Sequence, residues 1–113
     1  MLSIIVPVRD ESKTIEGVFE YFNNNLKNIN YEVLIINDFS KDDTLDKTKS
    51  LAAEYKNFKV FDNNKKGLGG AINLGIKKAL GNNIAIMMAD QSDDINDLIE
   101  YDKLMKSGEF DAI

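Results

Sequence analysis

The sequence predicts a three-layer α/β domain, a mostly parallel sheet with helices on both faces. Three observations carry that expectation. Short runs rich in apolar residues, at 2–8, 31–36, 58–61 and 84–89, have the length and composition of strands. The stretches between them place apolar residues at helical spacing. The two patterns alternate as βαβαβαβα, with the beginning of a further strand at the end, and right-handed crossovers turn such an order into a parallel sheet.

The first run, 2–8, is rich in β-branched residues and holds Pro7 near its end, where a missing N–H does least harm. A polar turn, Arg9-Asp10-Glu11-Ser12, follows, and Ser12 is the expected N-cap of a helix striped by Ile15, Val18, Phe19, Phe22 and Leu26. Asparagines at 23–25, 28 and 30 mark its fraying end. The second run closes on Asn37-Asp38, and the acids Asp42 and Asp43 suit the start of a helix carrying Leu45, Thr48, Leu51, Ala52 and Tyr55. After the third run, a loop at 62–67 leads to Leu68-Gly69-Gly70, which opens a helix through Ala71, Ile72, Gly75, Ile76 and Ala79. The fourth run ends abruptly in Asp90, Asp93 and Asp94. Beyond it Ile95, Leu98, Ile99 and Met105 stripe a fourth helix ended by Gly108, and Phe110 begins the further strand.

At 113 residues the chain reads as one domain, 1–113, with an apolar share of 43% that suffices for a core. A net charge of −5 without a basic cluster argues against nucleic acid, whose binding needs Lys and Arg to displace counterions. With neither Cys nor His, thiolate zinc sites, histidine metal clusters, Ser-His-Asp triads and disulfides are excluded. Asp, Glu, Lys and backbone groups carry whatever chemistry there is. The apolar start is too short for a signal peptide, and no segment approaches the roughly 20 apolar residues that span a bilayer. The expectation is a soluble chain, cytoplasmic, with peripheral membrane association left open.

In a parallel sheet every strand-to-helix loop emerges on one edge, where open α/β sheets bind their ligands. That rim collects Asp10 and Glu11, Asp38, the loop 66–70, and the acids from Asp90 onward. Were the first strand central, with the second on one side and the fourth on the other, Glu11, Asp38 and Asp90 would surround one crevice. Each feature also has a plain structural reading. Asp10 and Glu11 can solvate a helix start, Ser92, Asp93 and Asp94 can cap the next helix, and the glycines can serve loop geometry and helix–sheet packing. Closely spaced carboxylates equally suit a hard divalent cation. The run Gly67-Leu68-Gly69-Gly70 is no dinucleotide fingerprint, because the third glycine position falls on Ile72 and the run follows the third strand. It remains a tight loop whose N–H groups can approach a ligand, with Lys65 or Lys66 nearby.

Four motifs in order resemble the inverting family 2 glycosyltransferases, and among them the dolichol- or polyprenyl-phosphate mannosyl- and glucosyltransferases: Ile-Ile-Val-Pro-Val-Arg-Asp-Glu ending at Glu11, Ile-Ile-Asn-Asp-Phe-Ser-Lys-Asp-Asp-Thr ending at Thr44, Gly-Leu-Gly-Gly-Ala ending at Ala71, and Met-Met-Ala-Asp ending at Asp90. The resemblance implies a GT-A fold, whose first, Rossmann-like half binds the nucleotide. It also implies inverting transfer from a nucleoside-diphosphate sugar, with Mg²⁺ or Mn²⁺, to a polyprenyl phosphate or another acceptor. By position, Pro7 and Val8 would lie against the base, Glu11 would help hold the nucleotide, and Asp38 would hydrogen-bond the base. Lys66, Gly67, Gly69 and Gly70 would line the donor. Asp90 would reach the metal and diphosphate, with Asp93 or Asp94 as further metal ligands. Three positions depart from the pattern: Met88 stands where the first acid of D-x-D is usual, Asn37 replaces an acid, and Phe39 replaces a glycine. Complete relatives continue well past Ile113, where the general base is expected, so the chain reads as the donor half.

The rival from another class is a non-catalytic binding or assembly module that keeps this fold, favoured by Met88 and by an open sheet edge able to self-associate. A phosphoacceptor receiver domain, suggested by Asp10, Glu11 and Asp62, lacks the lysine expected after a fifth strand.

Overall fold

The structure, a computed structural model, describes residues 1–87. The expected fourth helix and fifth strand lie outside the described residues, as do Met88, Asp90, Asp93 and Asp94. The described chain runs β1 (Leu2–Val8), α1 (Ile15–Asn25), β2 (Tyr31–Asn37), α2 (Thr44–Glu54), β3 (Phe58–Asp62), α3 (Leu68–Lys78) and β4 (Asn83–Ile86). The strands form one parallel sheet in the order β3-β2-β1-β4. Strand β1 is thus central, with Leu2 opposite both Tyr31 and Asn83. This is the order that places the loops after β1 and β2 and the end of β4 around one crevice.

Because β1 and β2 are paired on both sides and covered on both faces, all 14 of their residues are buried, seven in each strand. Alternation divides their side chains between two cores. On one face Ile4, Val6, Val8, Val33 and Ile35 meet Ile15, Val18, Phe19 and Phe22 of α1 and Leu26 just beyond it, with Leu51, Ala52 and Tyr55 packed alongside. Phe19 centres this layer, its ring stacked 4.5 Å from that of Phe58 and 5.6 Å from that of Tyr55. Desolvation of the Tyr55 phenol, with the nearby charges of Glu20, Glu54 and Glu16, raises its pKa. On the other face Ile5, Leu34 and Ile36 meet Ala71 and Leu74 of α3. Helices on both faces of a parallel sheet make the three layers that the sequence predicts.

One local expectation needs correction. Helix α1 does not begin on a Ser12 cap: its N-cap is Thr14, without a side-chain cap bond, and the Ser12 hydroxyl instead bonds the Asp43 carboxylate across the next loop. On α3 the inward residues are Ala71, Leu74 and Gly75, while Ile76 faces out at 46% exposure. Strand β4 is described over Asn83–Ile86, with Ile86 44% exposed and, among the described residues, a strand neighbour on one side only; residues 88 and 89 of the expected run lie outside the described residues.

Pro7 is accommodated by the register. The Met87 N–H donates to the Ile5 carbonyl, so odd residues of β1 address β4, and Pro7 lies two residues past that last described bond.

At the amino-terminal edge of the sheet a buried carboxylate organises the opposite end. Glu32 accepts from the Ser3 hydroxyl at 2.6 Å, the Leu80 N–H at 2.7 Å and the Lys59 ammonium at 3.0 Å. Ser3 in turn accepts the Gly81 N–H at 2.8 Å. Burial opposes the charge of Glu32, but the donors Ser3, Leu80 and Lys59, together with the Lys59 charge, outweigh it and hold the carboxyl below its ordinary range.

Candidate functional site

The loops after β1, β2 and β3 meet at the carboxyl edge of the sheet, laced by two groups of hydrogen bonds. The first joins the loop after β1 to the loop after β2. Asp10 Oδ1 accepts the N–H groups of Lys41 at 2.6 Å and Asp42 at 3.3 Å, and the Asp10 N–H donates to Ser40 Oγ at 3.0 Å. The Glu11 N–H donates to Thr44 Oγ1 at 2.9 Å, and Lys47 Nζ donates to the Ser12 carbonyl at 2.8 Å. Asp42 takes both the hydroxyl and the N–H of Thr44, which hold its carboxyl below the ordinary aspartate range despite some opposing desolvation. Asp42 therefore caps the start of α2, while the N-cap residue Asp43 makes no side-chain cap bond.

The second group joins the end of β2 to the glycine loop. Asp38 is only 7% exposed, and its N–H extends the sheet by donating to the Val8 carbonyl at 2.8 Å. Its Oδ1 accepts from Asn63 Nδ2 and from the Gly67 N–H, each at 3.0 Å. Asn63, buried just beyond β3, donates its N–H to the Asn37 carbonyl at 2.8 Å. Its side chain clamps Lys65 from both sides, donating to the Lys65 carbonyl at 2.7 Å and accepting the Lys65 N–H at 3.3 Å. Gly67 can present its N–H this way because φ is 119° and ψ 158°, a region essentially closed to residues with a Cβ. A Cβ on Gly70 would lie 2.3 Å from the Lys65 carbonyl oxygen, whereas Gly69 faces open space. The N-cap of α3 is Gly67, which offers no side chain, so the first N–H groups of the helix are left for an anion or for water.

The residues singled out from the sequence fall into place unevenly. Asp38, Gly67 and Gly70 come together in the second group. Lys66 and Gly69 lie exposed beside it. Pro7 and Val8 are buried at the end of β1, the Val8 carbonyl already engaged by Asp38. Glu11 is held locally, Oε2 accepting the Thr14 hydroxyl at 2.8 Å. Asp90, Asp93 and Asp94 lie outside the described residues, and among the described residues no group of three or more acids is placed to hold a metal. Asn37 pairs its Nδ2 with Asp62 at 3.0 Å, leaving Oδ1 buried without a partner among the described residues. Sequence reasoning missed Asn63, whose role depends on a turn that folds it back on Asp38. It also missed the bridging by Asp10. A positive φ at Asp10, 52°, fits the tolerance of aspartate for that region.

The family model for glycosyl transferase family 2 matches residues 3–113. The chain belongs to that family. A dolichol-phosphate mannosyltransferase from Pyrococcus furiosus is 33% identical over 89 residues, which are 79% of this chain and 25% of that protein. This family 2 chain thus spans about a quarter of that relative's length. Among solved structures, Staphylococcus aureus TarS 1-349 in complex with UDP-GlcNAc superposes with a TM-score of 0.71 at 22% identity, covering 94% of this chain and 31% of that one. The mannosyltransferase PcManGT from Pyrobaculum calidifontis, in complex with GDP-Man and Mn²⁺, gives 0.69 at 22% identity, covering 79% of this chain and 27% of that one. These structural likenesses show the GT-A fold. Together with the family match they do not favour the assembly-module alternative.

Proposed function

We propose that the rim binds a nucleoside-diphosphate sugar and serves as the donor half of an inverting glycosyl transfer, with a polyprenyl phosphate as the acceptor class. The observation that carries this reading is the buried Asp38 carboxylate, held at the end of β2 beside the uncapped start of α3. A carboxylate fixed in a crevice reads N–H donors of a base, and free helix-terminal N–H groups suit a diphosphate. Val8 and Pro7 form the floor beside Asp38. Lys66 adds an exposed positive charge at the mouth, useful to an acidic chain that must hold an anion. Glu11, tied to Thr14, orients the first loop.

The oxygen donors Asp90 and Asp93 or Asp94 are of the type that Mg²⁺ or Mn²⁺ takes, and the described rim offers no competing set. The ion, when bound, would offset charge developing on the leaving diphosphate. Cytoplasmic placement belongs to the same reading, and no helix among the described residues is long and apolar enough to cross a membrane.

Isothermal titration calorimetry with UDP-sugars and GDP-mannose, in Mg²⁺ or Mn²⁺, tests the donor site. Saturable binding that drops about tenfold or more in Asp38→Ala is expected. A folded protein that binds no nucleotide sugar overturns the reading.

A further inference from the structure

We infer that the rim selects a pyrimidine imide, uracil or thymine, over guanine, and that Asn63 is the positioning residue that sets this choice; the inference rests on the donor-site reading above. It follows from how Asp38 is occupied before any ligand arrives. A carboxylate oxygen offers two lone-pair directions. On Asp38 Oδ1 both are used within the protein, by Asn63 Nδ2 and by the Gly67 N–H, each at 3.0 Å. Oδ2 has no hydrogen-bond partner among the described residues, so Asp38 presents one free oxygen rather than two.

The two base classes differ in what they ask of a carboxylate. The pairing edge of guanine carries two adjacent donors, N1–H and N2–H, which a carboxylate satisfies with both oxygens side by side. The edge of uracil or thymine carries one donor, N3–H, between two carbonyls, and it needs a single oxygen. A site with Oδ1 saturated meets the imide in full and leaves one guanine donor without a partner. An unmatched donor in a desolvated crevice is where hydrogen-bonding sites gain their discrimination.

The arrangement is fixed from several directions, so a ligand does not simply redirect Oδ1. Asn63 is 4% exposed, and its amide orientation is set by Lys65, which bonds it through both N–H and carbonyl. Its backbone is tied to Asn37. Gly67 is held by a backbone conformation that aims its N–H at Asp38. Freeing Oδ1 requires moving the whole 63–67 loop.

The test is calorimetric titration of the 113-residue chain with UDP, dTDP, GDP and N3-methyl-UDP under one set of metal and salt conditions. UDP or dTDP binding about tenfold or more tighter than GDP, with N3-methylation abolishing the advantage, is the expected result; the UDP and dTDP arms present the same imide edge from the two nucleotide sources that carry it. In Asn63→Ala, Oδ1 is released and the UDP-to-GDP affinity ratio falls toward one, a change that a purely structural role would not produce because it would weaken both nucleotides alike. GDP binding as tightly as UDP, or N3-methyl-UDP binding as tightly as UDP, overturns the inference while leaving the donor site standing. Absence of binding by every nucleotide overturns both. The wild-type comparison decides the base preference even if Asn63→Ala fails to fold, and the similarly sized Asn63→Leu, which also lacks the amide donor, then reads the positioning role by the same affinity ratio.

Discussion

Asp10 Oδ1 accepts the backbone N–H of Lys41 at 2.6 Å, joining the loop after β1 to the loop after β2 across 31 residues of sequence. The same oxygen takes the Asp42 N–H, and the residue does so from a left-handed backbone conformation. Asp10→Ala removes the acceptor and places a Cβ-bearing residue without a local hydrogen bond at φ 52°, and it should cost about 1–3 kcal/mol in urea unfolding. Asp10→Asn keeps the carbonyl oxygen and tolerates the conformation, so its loss should be less than half as large. Equal losses would show that a neutral acceptor oxygen does not sustain the bridge and that the carboxylate charge is what it needs.

Phe39 offers the opposite case. It sits at φ 56° and is 42% exposed, so the strain of a left-handed aromatic is offset by little burial. Phe39→Gly should raise stability by roughly 0.5–1 kcal/mol, the relief of strain being partly cancelled by the entropy of an added glycine. Phe39→Val, β-branched at the same φ, should lower it. Thermal melts of the three proteins give the order directly.

The glycine loop makes a paired prediction. Gly67→Ala forces a Cβ into a conformation reserved for glycine and should cost roughly 1–3 kcal/mol, with weaker nucleotide binding because the Gly67 N–H leaves Asp38. Gly69→Ala faces open space in the first turn of α3 and should leave stability unchanged or raise it by up to about 1 kcal/mol. Chemical denaturation distinguishes them, and a stable Gly67→Ala would remove the conformational argument.

Glu32 predicts part of the acid limb of the stability curve. Its folded-state pKa is held below the ordinary 4.5 by Ser3, Leu80 and Lys59 against the opposing effect of burial. In the interval between the two values the unfolded chain binds more protons, so stability rises with pH there. The contribution is therefore fully present above pH 4.5 and is lost as pH falls through the lower folded-state value. Glu32→Gln should flatten that limb. An unchanged slope would assign acid unfolding to other carboxylates.

The layers of this fold were legible because the apolar runs are long and doubly buried. The run 2–8 coincides with β1, and the stripe Ile15, Val18, Phe19 and Phe22 is the buried side of α1. Legibility failed where a side chain chose a distant partner over a local one. Ser12 reads as a cap by sequence, yet its hydroxyl bonds Asp43 in another loop. Asn63 reads as one more loop asparagine beside Asn64, yet it is buried against Asp38. Asp38 itself was legible as a rim acid, since any residue just past an inner strand of a parallel sheet lies there; the saturation of one of its oxygens was not.

The central position of β1 has a consequence for the making of the protein. Its neighbour on one side is Tyr31–Asn37, but on the other it is Asn83–Ile86, and the Gly81 N–H reaches the Ser3 hydroxyl across 78 positions of chain. As the polypeptide emerges, the β2 side of β1 is covered early, while its other backbone edge waits through two further helices and a strand. Closing that long loop is entropically costly and comes late. Throughout that interval an apolar strand stands with an open edge, the condition under which chains pair with one another. Strand β1 thus precedes β2, β3 and β4 in the chain yet completes its pairing only with the last of these three.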